Sequence, residues 1–175
     1  MGKTCGLIGQ SLETLPWRHS SWLEFDLAVG TVGNRLLIRN IYTLNTQLGY
    51  DKFIVPLDGG LSYEFLVEIW LHNLWKKTQN LPPAQVEYLA WEGAMDMWPR
   101  KKKEDYLFQI TKLKCEPVRL KRPESAKDWT ARDAYLKKHC DCLLAVWDHS
   151  PDPVAKTIAA AQEAGVKISI IDWRR

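Results

Sequence analysis

The chain has no apolar run approaching the roughly 20 residues that a membrane-spanning helix needs, so a membrane partner is not expected. It also has no glycine-rich nucleotide fingerprint. G-x-G-x-x-G and G-x-x-x-x-G-K-[ST] are both missing, which leaves dinucleotide dehydrogenase and P-loop readings without motif support. No G-x-S-x-G elbow marks a nucleophilic serine. Charge of one sign is lacking: 24 Lys and Arg against 21 Asp and Glu leave a net charge of +3, too little by itself to argue for nucleic acid. The four cysteines, Cys5, Cys115, Cys140 and Cys142, do not make a secreted disulfide framework. His139-Cys-Asp-Cys142 resembles a metal motif, but a closed zinc site wants four ligands and no second pair exists. No metal and no cofactor is therefore expected. Cys-x-Cys at a strand start should place both sulfurs on one face, as small core fillers. Met1-Gly-Lys-Thr-Cys-Gly6 does not look like a secretory leader, so none is expected, and Gly6 fails the myristoylation pattern. A cytoplasmic location is the expectation.

What is present reads as one domain over residues 1–175, with 46% hydrophobic and 26% charged residues and no linker, repeat or low-complexity segment. Nine tryptophans supply core and interface area more readily than nucleotide-stacking platforms. The C-terminal third is the clearest stretch. Cys142-Leu-Leu-Ala-Val-Trp147 is a buried-strand pattern ending at Asp148, and His149-Ser-Pro-Asp-Pro153 is a turn. Val154 to Ala164 is a helix with Val154, Ile158 and Ala161 on its stripe, stopped by Gly165. Val166 to Ile171 is a second strand, ending at Asp172. Together these make a right-handed βαβ unit.

The same alternation runs upstream. Lys3 to Ile8 is a strand and Val32 to Leu48 a helix closed by Gly49, with Val32, Leu36, Leu37, Ile41 and Leu44 along it. Trp17 to Gly30 takes no firm assignment, although Trp22-Leu-Glu-Phe25 can start a short helix. Lys52 to Leu57 is a strand, and Ser62 can cap a buried helix running to Lys77 that carries Phe65, Leu66, Ile69, Trp70 and Leu74. Gln85 to Trp91 is a strand and Glu92 to Pro99 a loop. Arg100 to Lys114 is an amphipathic helix with Leu107, Ile110 and Leu113 inside, Glu116 to Leu120 a strand, and Trp129 to His139 a helix. The fold expected is α/β: a single Rossmann-like three-layer domain with a mainly parallel sheet of five or six strands.

In open parallel sheets ligands sit beyond the carboxyl ends of the strands. That places Gly9, Gln10 and Ser11, then Asp58, Gly59, Gly60 and Ser62, then Asp148 and Ser150 on one rim, with Arg132 on a helix able to reach it. A Gly-Gly turn before a helix offers amides and a positive dipole end suited to phosphate, although it is equally plain turn chemistry. Glu64 and Glu68, four apart on one helix face, are the candidate acid–base residues, with dipole stabilisation as the plainer reading. Lys101-Lys-Lys103 is read as solvated surface before nucleic-acid contact.

Beyond the pattern, Lys3-Thr-Cys5, Gly9 and Leu15-Pro16-Trp17 resemble the opening K-T-C-x-x-T-G-H-R-P-x-x-L-P-W of YpsA-like proteins of the SLOG superfamily, whose relatives include the LOG (lysine-decarboxylase-like) phosphoribohydrolases and DprA. The resemblance continues through Tyr50-Asp-Lys-Phe-Ile54, Trp98, Tyr106 and Arg132-Asp-Ala-Tyr-Leu136, and is closest in Cys140-Asp-Cys-Leu-Leu-Ala-Val-Trp-Asp148 and Ala161 to Asp172. It implies a Rossmann-like domain binding a nucleotide or nucleotide-derived ligand at the rim. Three motifs depart from that pattern. Ile8-Gly9-Gln10-Ser11 replaces T-G-H-R, Pro56-Leu-Asp-Gly-Gly-Leu-Ser62 replaces G-M-A-L-G-V-D, and Ser150-Pro-Asp-Pro-Val154 replaces S-P-G-G-T. Pro153 removes a donor and Asp152 adds negative charge where phosphate would otherwise sit. The LOG signature P-G-G-x-G-T-x-x-E is missing. The function expected is a nucleotide-binding, non-catalytic or regulatory domain. The alternatives are an N-glycosidase or phosphoribohydrolase using Glu64 or Glu68, and a DNA- or protein-interaction module. A nucleotide-type small molecule and a second copy of the chain are the partners implied.

Overall fold

A computed structural model describes residues 2–10, 27–58, 61–125 and 128–172. Among the described residues, six strands alternate with five α-helices: β1 Lys3–Gly9, α1 Leu27–Tyr42, β2 Tyr50–Pro56, α2 Ser62–Thr78, β3 Gln85–Trp91, α3 Arg100–Leu113, β4 Glu116–Leu120, α4 Thr130–His139, β5 Cys142–Val146, α5 Pro153–Glu163 and β6 Lys167–Ile171. The strands form one sheet in the order β4-β3-β2-β1-β5-β6, and every pairing is parallel. This is the expected α/β, Rossmann-like architecture.

Strands covered on both faces read as continuous apolar runs, and all five residues of β5 are buried. Their alternation feeds two cores. Cys5, Leu7, Phe53, Val55, Leu144 and Val146 meet Leu37 and Ile41 of α1, Phe65 and Ile69 of α2, and Tyr106 and Ile110 of α3. Ile8, Ile54, Leu89, Leu143 and Ala145 meet Leu136 of α4 and Val154, Ile158 and Ala161 of α5. Burying each large side chain contributes about 1.5–3 kcal/mol. Truncating the buried Phe65 to Ala should cost about 3–5 kcal/mol through lost transfer energy and the cavity left behind. Gly6 is required by packing: a Cβ there would lie 2.5 Å from Leu143 Cδ2 and 3.0 Å from Cys140 Sγ.

Several sequence expectations shift. The first α-helix gives way after Tyr42 to a π-helical turn, Thr43–Gln47, before Gly49 turns the chain at φ +73°. That turn presents Asn45, whose Nδ2 donates to Tyr50 O (2.8 Å). Its Oδ1 accepts from Lys76 Nζ (2.7 Å) and pairs with His72 Nε2 (2.9 Å). Lysine only donates, so Oδ1 faces it and Nε2 of His72 carries the hydrogen. Burial first, and the Lys76 ammonium second, lower the His72 pKa to about 4. Ser62 is not the cap of α2. Leu61 holds that position without a side-chain bond, and the Ser62 hydroxyl lies 2.9 Å from Tyr106 Oη.

Leu74 and Leu107 are exposed rather than inside. The inner face of α3 falls on Tyr106, Gln109 and Ile110, and Leu107 lies about 100° away around the helix from Tyr106. Cys140 and Cys142 do not share a face. Cys140 caps α4 outside the strand and joins the α4–α5 core, while Cys142 opens β5 and joins the other. Trp17 to Phe25 lies outside the described residues. Among the described residues no helix is long and apolar enough to cross a membrane, and no group of three metal-ligating side chains is gathered.

Candidate ligand site at the carboxyl rim

The strand order reverses between β1 and β5: the chain winds outward from β1 to β4, then α4 returns it to β5 beside β1. In a parallel sheet this places a crevice outside the carboxyl ends of those two strands. Gly9, Gln10, Asp58, Asp148 and Ser150 all lie along this rim. Ser11, Gly59 and Gly60 fall outside the described residues.

Gly9 is set by packing, because a Cβ there would meet Leu61 Cδ1 at 2.9 Å. Its bareness lets the residue before α2 cover the end of β1. Gln10 is fully buried. Its N–H donates to Val146 O (3.0 Å), and its Oε1 accepts from Asp148 N–H (2.8 Å). It therefore staples the two strands flanking the crevice. Asp148 Oδ1 accepts from Ser150 N–H (2.9 Å), a local aspartate turn. Trp147 Nε1 donates to Ser150 O (2.8 Å), and His149 takes the left-handed conformation at φ +64°. Asp152 then caps α5, accepting from Val154 N–H at 2.9 Å, with Pro153 in the first turn.

Arg132 is the hub of the rim and is 6% exposed. Nη1 pairs with Asp58 Oδ2 at 2.7 Å and Nη2 with Asp133 Oδ1 at 2.9 Å. Nη2 also donates to Thr157 Oγ1 at 2.5 Å, and the guanidinium lies 3.7 Å from the Trp129 ring centroid. One side chain on α4 thus ties the end of β2 to α5. Two carboxylates face one guanidinium, so the hub carries no surplus positive charge for a ligand. Asp133, Trp129 and Thr157 were missed from the sequence. Thr157 had a signal, a hydroxyl three residues after Val154 on the inner stripe of α5, where only a bonded polar group is tolerated.

At the start of α2, Glu64 Oε2 is buried without a hydrogen-bond partner among the described residues. Burial pushes its pKa up, opposed by its own backbone amide and by Lys102. Glu68, one turn on, is buried too, and desolvation raises it to about 7. Lys102 makes no ion pair with the described residues. Its ammonium lies 4.2 Å from the Trp98 centroid and 5.9 Å from that of Tyr106, and burial lowers its pKa against the pull of Glu64 and Asp58. The rest of the basic run is paired on its own helix and loop: Arg100 with Glu104, Lys101 with Asp105, and Lys103 with Asp96.

Among the described residues, the enclosed space beside Asp58 and Arg132 is small. A cavity of about 70 Å³ lies against Asp58, Leu89, Trp91, Leu120, Trp129 and Arg132, well under the roughly 300–1,000 Å³ of typical ligand pockets. A wider depression of about 620 Å³ lies between the first turns of α4 and α5, at Trp129, Asp133, Asp152 and Lys156. A third, of about 720 Å³, opens beyond β3 near Trp91, Met97 and Arg122.

Fold and rim together define an α/β protein of the Rossmann-like class, with its polar groups gathered at the carboxyl ends of the strands. No protein-family model matches the chain, and no curated protein is significantly similar to it.

Proposed function

We propose that the chain is a SLOG-like domain, similar to YpsA-like proteins, that binds a nucleotide or nucleotide derivative at the carboxyl rim in a non-catalytic or regulatory role. The observation that carries this reading is the reversal of strand order between β1 and β5, with Gly9, Gln10 and Asp148 at the crevice it opens. The electrostatics favour recognition of the nucleoside part. Asp152 occupies the amide end of α5, and Asp58 with Asp133 neutralises Arg132. The chain's own carboxylates therefore hold the positions that phosphate oxygens would take. A thermal-shift screen over nucleosides, nucleoside monophosphates, NAD and ADP-ribose tests this. Stabilisation by at least one member is expected, and a flat response across all of them counts against ligand binding.

A second reading has one specific observation in its favour. Desolvation holds Glu68 at about 7 and raises Glu64, and a carboxyl tuned near neutrality suits general acid–base work. N-glycosidase chemistry on a nucleotide would then be lost in Glu64→Gln or Glu68→Gln, and wild-type inactivity on a nucleoside monophosphate panel would remove it. Self-association belongs to the same proposal. Ile38, Tyr42, Leu71 and Trp75 line a groove of about 480 Å³ on the outer face of α1 and α2, and a second copy would cover it. Light scattering reads the mass directly.

A further inference from the structure

The sheet has two edges, and their sequences treat the exposed backbone differently. β4, at one end, reads Glu116-Pro-Val-Arg-Leu120. Pro117 has no N–H to offer, and Glu116 and Arg119 carry charge along the strand, devices that keep an edge from pairing. β6, at the other end, reads Lys167-Ile-Ser-Ile-Ile171, rich in isoleucine and free of proline. Among the described residues no strand lies on its outer side. Lys167 N–H donates to Asp141 O, and Ile171 O accepts from Trp147 N–H, so these residues turn their backbone groups inward to β5. Backbone direction alternates along a strand, which turns the N–H and C=O of Ile168 and Ile170 outward. Ile170 is also 37% exposed, although its register partner Ala145 is fully buried.

This edge is complementary to itself. A two-fold axis through Ser169 sets two β6 strands antiparallel, with Ile168 opposite Ile170 of a second copy. Those are the outward-turned residues, so each such pair exchanges both backbone hydrogen bonds. Ile168 packs into the α5 core, and Ile170 shares its face of the strand, so isoleucine meets isoleucine on the side that carries α5. α5 packs on both β5 and β6. Lying over the gap between them, it would stand two strand spacings from its copy, roughly 10 Å, the distance of packed helices. Thr157 turns to Arg132 on α4, which leaves Ala155, Ala159 and Gln162 on the flank toward the edge, where the two alanines permit that approach. Lys156 and Glu163 are both exposed, two turns apart on α5. In an antiparallel helix pair Lys156 meets Glu163 of the second copy, and the same pairing forms at the other end.

We propose that β6 and α5 form the surface through which two copies of the chain pair, joining their sheets edge to edge and antiparallel about Ser169. The occupant is a second copy because the outward backbone groups, the isoleucines and the Lys156 and Glu163 charges all find their complement in the same segment turned round. This surface is separate from the α1–α2 groove, which belongs to the opposite face of the sheet, and it does not rest on a ligand at the rim. Antiparallel joining points the two carboxyl rims in opposite directions. Each crevice, two strands in from the edge beside β1, therefore stays clear of the joint.

Light scattering of the full chain over a dilution series, with oxidative cross-linking of Ser169→Cys, tests the pairing. The wild type should associate, and Ile170→Lys, which sets an ammonium against an apolar pair, should raise the dissociation constant at least about tenfold with circular dichroism unchanged. Residues at position 169 face each other across the axis as a non-hydrogen-bonded pair, with Cα atoms about 4.5 Å apart, within disulfide reach. Ser169→Cys should therefore give a disulfide-linked dimer on mild oxidation, and should still do so when Leu71→Lys disrupts the α1–α2 groove. A wild type that is monomeric throughout the series would overturn the proposal. So would an unchanged mass in Ile170→Lys, or a Ser169→Cys chain that cross-links no more than the wild type. Should Ile170→Lys fail to fold, the Ser169→Cys cross-link decides by itself.

Discussion

The starts of α2 and α5 stand on the same rim, on opposite faces of the sheet, and meet the same physical problem differently. Each exposes backbone amides that lack partners within the helix. α5 answers with its own carboxylate, Asp152, and with Pro153, which has no N–H to satisfy. α2 begins after Leu61 without a side-chain cap, turns its Ser62 hydroxyl to Tyr106, and buries the Oε2 atom of a half-buried Glu64 in its first turn. The α5 end is thus closed internally, and the α2 end is where desolvated ionisable groups collect. Arg132 joins the two through Asp58 and Thr157.

Removing that link should produce the largest effect. Arg132→Met leaves Asp58 and Asp133 without their guanidinium, and breaking a buried pair in this way costs about 3–5 kcal/mol. Urea denaturation at neutral pH reads it, and a loss under about 1 kcal/mol would mean that the two ends are independent.

The next effect is a gain. Glu68 has its folded pKa raised from 4.5 to about 7, so the folded state binds more protons than the unfolded across that window and stability falls as pH rises through it. Glu68→Gln should add about 2–3 kcal/mol at pH 8 and almost nothing near pH 4. His72 works in the opposite direction. Its folded pKa is lowered from 6.5 to about 4, so its contribution is present above pH 6.5 and is lost as pH falls toward 4. The wild-type curve should therefore be flat where the two cancel, and Glu68→Gln should unmask a rise with pH. A flat curve in the variant would refute the His72 assignment.

Asp152→Ala should cost about 1 kcal/mol, as lost caps do, and sulfate should restore more stability to the variant than to the wild type. Equal responses to sulfate would show that α5 is not an anion position held by its own carboxylate. Smallest of all, Glu104→Ala should change stability by only about 0.3–0.5 kcal/mol, because its pair with Arg100 lies on an exposed helix face.

The sheet and its rim were legible in the sequence because apolar runs such as Cys142 to Val146 end at turn residues, and the alternation of runs and stripes fixes a parallel order. What could not be read depends on groups that meet only in space. Nothing local to Arg132 points to Asp58, 74 positions away, or singles out Thr157. The stripe of α3 was misplaced because Leu107 looks like a core residue until the helix is rotated onto Tyr106 and Ile110. Cys140 and Cys142 share the spacing of one strand face, but the strand begins between them. For the α3 stripe and the Cys140–Cys142 pair the local pattern was sound and its placement was wrong by a residue or two.

The direct test of ligand binding at the crevice is calorimetric titration of wild type and Asp148→Asn with whichever nucleoside or nucleotide stabilises the fold. Asparagine keeps an acceptor for the Ser150 amide, so the turn should survive while the charge is lost. The account predicts measurable binding by the wild type, weakened about tenfold or more in the variant. Absence of heat for every member of the panel, or equal affinities in the two proteins, would contradict it.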